Sequence, residues 1–173
     1  MVAVALLLGC ATNRSPRDIP ERSLDIQLAE GKPRLMFNQI RAQTSNRYGS
    51  EDAELYINYS FSSVNAVTWD DGSIVLYRGL LMYVQSEDEL AGVIAHEYCH
   101  ILNGDLGTGR QLTSKQIEQE ADVCGVKLAV KAGYDCNKMA NIWLRYAKDY
   151  PGFSSESHPT PIERYHYMKE MCQ

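Results

Sequence analysis

The pentad His96-Glu97-Tyr98-Cys99-His100 constrains this chain more than any other stretch. It sits late in a segment that reads as a single helix. Ser86 with Glu89 three residues on is an N-terminal capping box, and Asn103-Gly104 is a stop signal. Leu90, Ile94 and Ile101, helped by Val93, supply an apolar stripe at helical spacing. Residues four apart share a helix face, so His96 and His100 can present two imidazoles to a single metal ion. Glu97 lies beside a ligand without being one, where it can take a proton from a metal-activated water. The alternative is a pair of solvated histidines, and what lies downstream decides between them.

A third ligand is available in Ile117-Glu118-Gln119-Glu120-Ala121-Asp122. Thr113 or Ser114 can cap a helix through this stretch, ending near Gly133. Glu118 and Asp122 are four apart and share a face. One carboxylate can bind zinc while the other orients a ligating histidine from behind. Glu120 points elsewhere and reads as a surface residue. Alone, this would be an ordinary acidic helix surface; with the pentad it becomes a ligand helix.

The pentad followed by Glu118-Gln119-Glu120-Ala121-Asp122 resembles the gluzincin metallopeptidases of the HtpX and CAAX prenyl protease family. The soluble periplasmic branch, with LoiP and BepA among its members, is the nearest likeness. Three further stretches are similar to that family: Asp71-Gly72-Ser73 through Leu81, Ala132-Gly133-Tyr134-Asp135, and Ser157-His158-Pro159-Thr160-Pro161-Ile162-Glu163-Arg164. The likeness runs from about Asn65 to Met171. It implies a zinc endopeptidase with His96, His100 and Glu118 as ligands, Glu97 as general base and Asp122 behind the ligands. It also places a His-Pro such as His158-Pro159 beside the active site, with Arg164 following on a helix. His158 then has three readings: a donor to the oxyanion, a fourth metal ligand that keeps the enzyme latent, or a loop histidine capping the last helix. The connection from His100 to Glu118 is short and leaves little room for an inserted subdomain. No apolar run reaches the roughly 20 residues of a membrane-spanning helix, which favours the soluble branch.

Residues 1–10 end in Leu7-Leu8-Gly9-Cys10, which resembles the lipobox of a bacterial lipoprotein signal peptide. The domain organisation expected is a partial signal peptide over 1–10, a tether over 11–31 and a zinc metallopeptidase domain over 32–173. Cys10 would carry the lipid, and Ala11 after it resembles lipoproteins sent to the outer membrane, facing the periplasm. A net charge of −5 without a long basic run argues against nucleic acid as a partner.

The remaining elements are coarser. Pro33 suits a first helical turn, with Leu35, Met36 and Ile40 carrying a helix to about Arg47. Leu55, Ile57, Tyr59 and Phe61 alternate as a half-buried strand. Val64 to Trp69 and Ser73 to Tyr77 read as two strands around the turn Asp70-Asp71-Gly72. In the family resembled, a strand here forms the sheet edge above the zinc, and an extended peptide can pair with such an edge. Asp135 can cap one helix carrying Met139, Ile142, Trp143 and Tyr146, and Thr160-Pro161 with Glu163 opens the last. Cys136 and Cys172 can form a bridge in an oxidising compartment, while Cys99 and Cys124 read as buried free thiols.

The fold class expected is α+β: a zincin-like domain whose small, mostly antiparallel sheet packs on the pentad helix. The function expected is a single-zinc endopeptidase acting on unfolded or misfolded envelope proteins. A zinc-containing chaperone or adaptor that holds clients without cleaving them is the alternative, and a domain merely stabilised by metal is another.

Overall fold

The computed structural model describes residues 25–44, 52–106 and 113–173. Cys10, the rest of the expected signal peptide and residues 11–24 of the expected tether lie outside them. The first helix ends at Arg41 with Ala42 as its C-cap, short of the end expected near Arg47. Four strands and seven helices are present among the described residues: β1 (Ile26–Leu28), α1 (Gly31–Arg41), β2 (Glu54–Asn58), β3 (Ala66–Thr68), β4 (Ser73–Tyr77), α2 (Arg78–Tyr83), α3 (Glu87–Asn103), α4 (Ser114–Lys131), α5 (Cys136–Met139), α6 (Asn141–Asp149) and α7 (Pro161–Met171).

The sheet order is β1-β2-β4-β3, with β2 and β4 parallel and the two outer pairings antiparallel. The fold is therefore α+β with a small, mostly antiparallel sheet. Ser73 to Leu76 are all buried because β4 is an inner strand covered on both faces. β3 is an edge. β1 falls inside the stretch expected to be tether; three residues carry no readable period, and they become a strand only by pairing with β2. β2 stops short of the expected alternation. The Asn58 carboxamide oxygen accepts from the backbone N–H groups of Ser60 and Phe61, which turns the chain and leaves Tyr59 and Phe61 exposed.

α3 is the central element. Glu89 to Ala91 and Val93 to Cys99 are buried, so the helix is enclosed by neighbours instead of showing one apolar stripe. Phe37 of α1 meets Tyr98 edge-on at 5.5 Å between ring centroids. Ser86 accepts from the Glu89 N–H as a cap should. The reciprocal half of the box is replaced: Glu89 accepts from the Gln85 N–H and from both terminal nitrogens of Arg145 on α6.

α4 crosses α3 at very short range. A Cβ at Gly125 would lie 2.8 Å from the His96 backbone nitrogen, so only glycine permits this approach. Beside that crossing Cys99 and Cys124 form a disulfide, with 5.9 Å between their α-carbons, and are not free thiols. The second disulfide, Cys136 to Cys172, joins the start of α5 to the end of α7. Met139, Ile142, Trp143 and Tyr146 are buried as their spacing suggests, but their helix is broken at Ala140 into α5 and α6. α7 opens with a complete capping box between Thr160 and Glu163.

Candidate active site

Three chain segments converge beneath β3: one turn of α3, the front half of α4, and the loop leading into α7. His96 and His100 project from one face of α3, their Nε2 atoms 3.2 Å apart. Glu118 of α4 reaches the same point, with Oε2 3.2 Å from His96 Nε2 and Oε1 3.7 Å from His100 Nε2. A ligand atom from each of these three residues lies within 4.8 Å of the others. Glu120 is exposed on another face of α4.

Both rings are fixed from behind. Asp122 Oδ1 is 2.9 Å from His96 Nδ1, and Asp105 Oδ2 is 3.0 Å from His100 Nδ1. Each carboxylate favours a proton on Nδ1 and leaves Nε2 as the acceptor facing the cluster. Asp122 is buried and held in turn by α7. Its oxygens accept from Arg164 Nε at 2.8 Å, from Arg164 Nη2 and from the Tyr167 hydroxyl. Arg164 is itself buried, with its guanidinium 3.5 Å from the centre of the Trp143 ring.

Charge follows from this packing. Burial acts to raise the Asp122 pKa, but the Arg164 guanidinium and His96 hold it well below the ordinary carboxylate range. Burial acts to lower the His96 pKa, but the Asp122 carboxylate outweighs it and pushes the ring up to about 10. Glu118 is likewise held low against burial by His158, His96 and His100. Burial and the adjacent Asp122 keep the Tyr167 phenol protonated as a donor.

Glu97 points towards the sheet edge. Thr68 Oγ1 of β3 lies 2.7 Å from Glu97 Oε2 and 2.9 Å from the Glu97 carbonyl. His96, Glu97, Asp122 and Arg164 line a cavity of about 30 Å³ together with Asn65 and Ala66. That is room for about one or two water molecules. His158 enters from the loop before α7: its Nε2 is 3.1 Å from Glu118 Oε1, and its Nδ1 is 2.6 Å from Ser157 Oγ. It therefore faces the cluster through Glu118.

The donor set fits a zinc ion. Two imidazole nitrogens and one carboxylate are a recognised trio, and three protein ligands leave a position open for chemistry. Glu118 Oε2 is buried and its near polar neighbour is His96 Nε2 at 3.2 Å, so a cation between them would satisfy both atoms. The side chains of His100 and Glu118 keep 12% and 13% of their surface exposed, so the cluster can be reached.

Thr68, Asp105, Ser157 and Tyr167 complete the arrangement without having been singled out in the sequence. Asp105 carried a readable signal. Gly104 adopts φ 71°, its N–H donates to the Ile101 carbonyl, and the Asp105 N–H reaches back to the His100 carbonyl. This reversal after a left-handed glycine places the next side chain beside the preceding turn. Thr68 is 29 positions from Glu97 and had no local signal.

Fold and site together have the arrangement of a zincin-like domain. Residues 38–112 match the sequence model described as Peptidase family M48. Relatives include "Protease HtpX" of Shewanella baltica (strain OS185), 33% identical over 58% of this chain and 31% of its own length. Another is "Putative beta-barrel assembly-enhancing protease" of Vibrio cholerae serotype O1, 25% identical over 59% of this chain and 31% of its own. The chain spans about a third of the length of these curated relatives. Glu118, Asp122, His158 and Arg164 lie beyond residues 38–112, and the packing of α4 and α7 brings them to the site. Among the described residues no helix is long and apolar enough to cross a membrane.

Proposed function

We propose that this chain is a zinc-dependent endopeptidase of the bacterial envelope that hydrolyses unfolded or misfolded polypeptides. The observation that carries the reading is the cluster of His96, His100 and Glu118 with Glu97 beside it on the same helix. His96 Nε2, His100 Nε2 and a Glu118 oxygen would hold one zinc ion. Bound there, zinc lowers the pKa of a coordinated water to about 7 and polarises a peptide carbonyl.

The chain's own groups do the rest. Asp122 and Asp105 hold the two imidazoles in the tautomer that offers Nε2. Thr68 donates to Glu97 Oε2 and so directs the other oxygen, Oε1, as the base. Glu97 takes the water proton and passes it to the leaving amine nitrogen. His158, steadied by Ser157, donates through Nε2 to negative charge developing on the substrate oxygen once substrate displaces it from Glu118. The free edge of β3 pairs with an extended substrate through main-chain hydrogen bonds, which suits clients of varied sequence.

The name of the Vibrio relative supports an envelope setting, as do two disulfides, which persist in oxidising compartments. Attachment to the outer membrane through a lipid on Cys10 completes the proposal. Palmitate labelling that survives Cys10→Ser, with a full signal peptide in place, would remove that part of it. The enzymatic reading is tested by zinc content and casein cleavage for the wild type and Glu97→Gln side by side. Expected are equal zinc in both and chelator-sensitive cleavage by the wild type alone. Equal cleavage by both proteins would overturn it.

A further inference from the structure

We propose that the Cys99–Cys124 disulfide is a positioning bond for the metal centre, and that its reduction lowers zinc affinity without unfolding the domain. The inference rests on the metal reading above. It starts from where the two cysteines stand. Cys99 is the residue before His100 on α3, and Cys124 follows Asp122 by two positions on α4. The bond therefore joins the two helices that supply all three proposed ligands, less than one turn from His100 and from Asp122.

The front of α4 has little else to hold it at the right distance. Ser114, Lys115 and Gln116 are exposed, and the first buried side chain of the helix is Ala121, after Glu118. Half of the buried residues of the helix are small: Ala121, Gly125 and Ala129. Small residues allow the close crossing at His96 but grip it weakly, because each presents few atoms for contact. Glu118 thus extends from a helix whose approach to α3 is defined on one side by Gly125 and on that same turn by Cys124.

Loss of the bond would not release α4 altogether. Asp122 still ties it to Arg164 and Tyr167 on α7, and Val126 and Leu128 remain in the core. The domain keeps its fold while the spacing between Glu118 and the histidines loosens. A metal site tolerates little of this, since ligand distances must hold to within about 0.2 Å. Cys99 is wholly buried, but Cys124 is only partly so and lines an open groove with Leu102, Asn103 and Lys127. A small reductant can reach it there. Reduction by a phosphine cleaves the S–S bond, takes two electrons from phosphorus, leaves two thiols, and transfers oxygen from water to give the phosphine oxide.

The test uses the Cys136→Ser/Cys172→Ser protein, which retains the Cys99–Cys124 bond alone. Zinc affinity is measured by competition with a chromophoric chelator before and after tris(carboxyethyl)phosphine, with far-UV circular dichroism recorded on the same samples. A second variant adds Cys99→Ala/Cys124→Ala, which excludes zinc binding by the released thiols. Expected is a loss of affinity by about tenfold or more in both the reduced and the alanine forms, with helical signal retained. The cobalt(II) absorption bands should shift with them. Affinity within twofold of the oxidised protein in the reduced form overturns the proposal, and so does loss of helical signal on reduction. Should the alanine variant not fold, the reduced protein decides. An oxidised protein with no zinc affinity would instead overturn the metal reading itself.

Discussion

His96 Nδ1 stands 2.9 Å from Asp122 Oδ1, and that one contact links the pentad helix to the last helix of the domain through Arg164. The ring cannot turn over without leaving Asp122 facing a carbon. Its Nε2 is therefore committed to the side where His100 and Glu118 stand.

Ligand identity can be separated by charge position on α4. Glu118→Ala should weaken zinc by more than the roughly 100-fold that loss of an outer partner can cost. Glu120→Ala, altering the exposed face, should leave zinc affinity unchanged. Equilibrium competition with a chelator measures both, and unaltered affinity in Glu118→Ala would refute the assignment.

The buried charge of Asp122 makes its partners structural as well as orienting. Arg164→Met strands a carboxylate in the core and should cost about 3–5 kcal/mol in urea unfolding. Tyr167→Phe removes one donor of several and should cost about 1.5–3 kcal/mol. A smaller loss for Arg164→Met than for Tyr167→Phe would contradict the ranking.

In chelator-stripped protein the His96 pKa stands near 10, above the ordinary value of 6.5. The stabilisation from its protonated ring is then complete below about 6.5 and is lost as pH climbs through about 10. Thermal melts should show stability falling across that window, and Asp122→Asn should flatten the slope. Zinc uptake requires the neutral ring, so apparent affinity should rise with pH by up to about tenfold per unit in the same range. A pH-independent affinity from pH 7 to 9 would count against the arrangement.

His158 contacts Glu118 and not the paired histidines. His158→Ala should lower kcat by roughly 10²–10³-fold, as loss of an oxyanion donor does, with zinc affinity changed far less. Weaker zinc accompanied by faster basal cleavage would mean that the residue restrains the resting enzyme instead.

How much of this was legible varies with the range of the interaction. That His96 and His100 share one face, and Glu118 and Asp122 another, was legible because helical periodicity turns a spacing of four into a shared face, which needs no knowledge of the fold. The caps at Ser86, Thr113 and Thr160 were equally local. β1 was not, since three residues gain their conformation from β2 and from nothing in themselves. Nor was the Cys99–Cys124 bond, because two helices can cross at many angles and only Gly125 reveals which crossing is made. Thr68 shows the limit most clearly: its partner Glu97 is fixed by the register of an edge strand against a helix, a relation no spacing rule encodes.

The salt bridge between Arg164 and Asp122 also sets an order of assembly. A chain emerging N-terminus first presents the pentad and Glu118 well before Arg164 and Tyr167 exist to neutralise Asp122. Until α7 docks, that carboxylate lacks its guanidinium and phenol partners, and His96 alone accompanies it into the interior. The two helices that carry His96, His100 and Glu118 are thereby locked to one another through Asp122 only once α7 is in place.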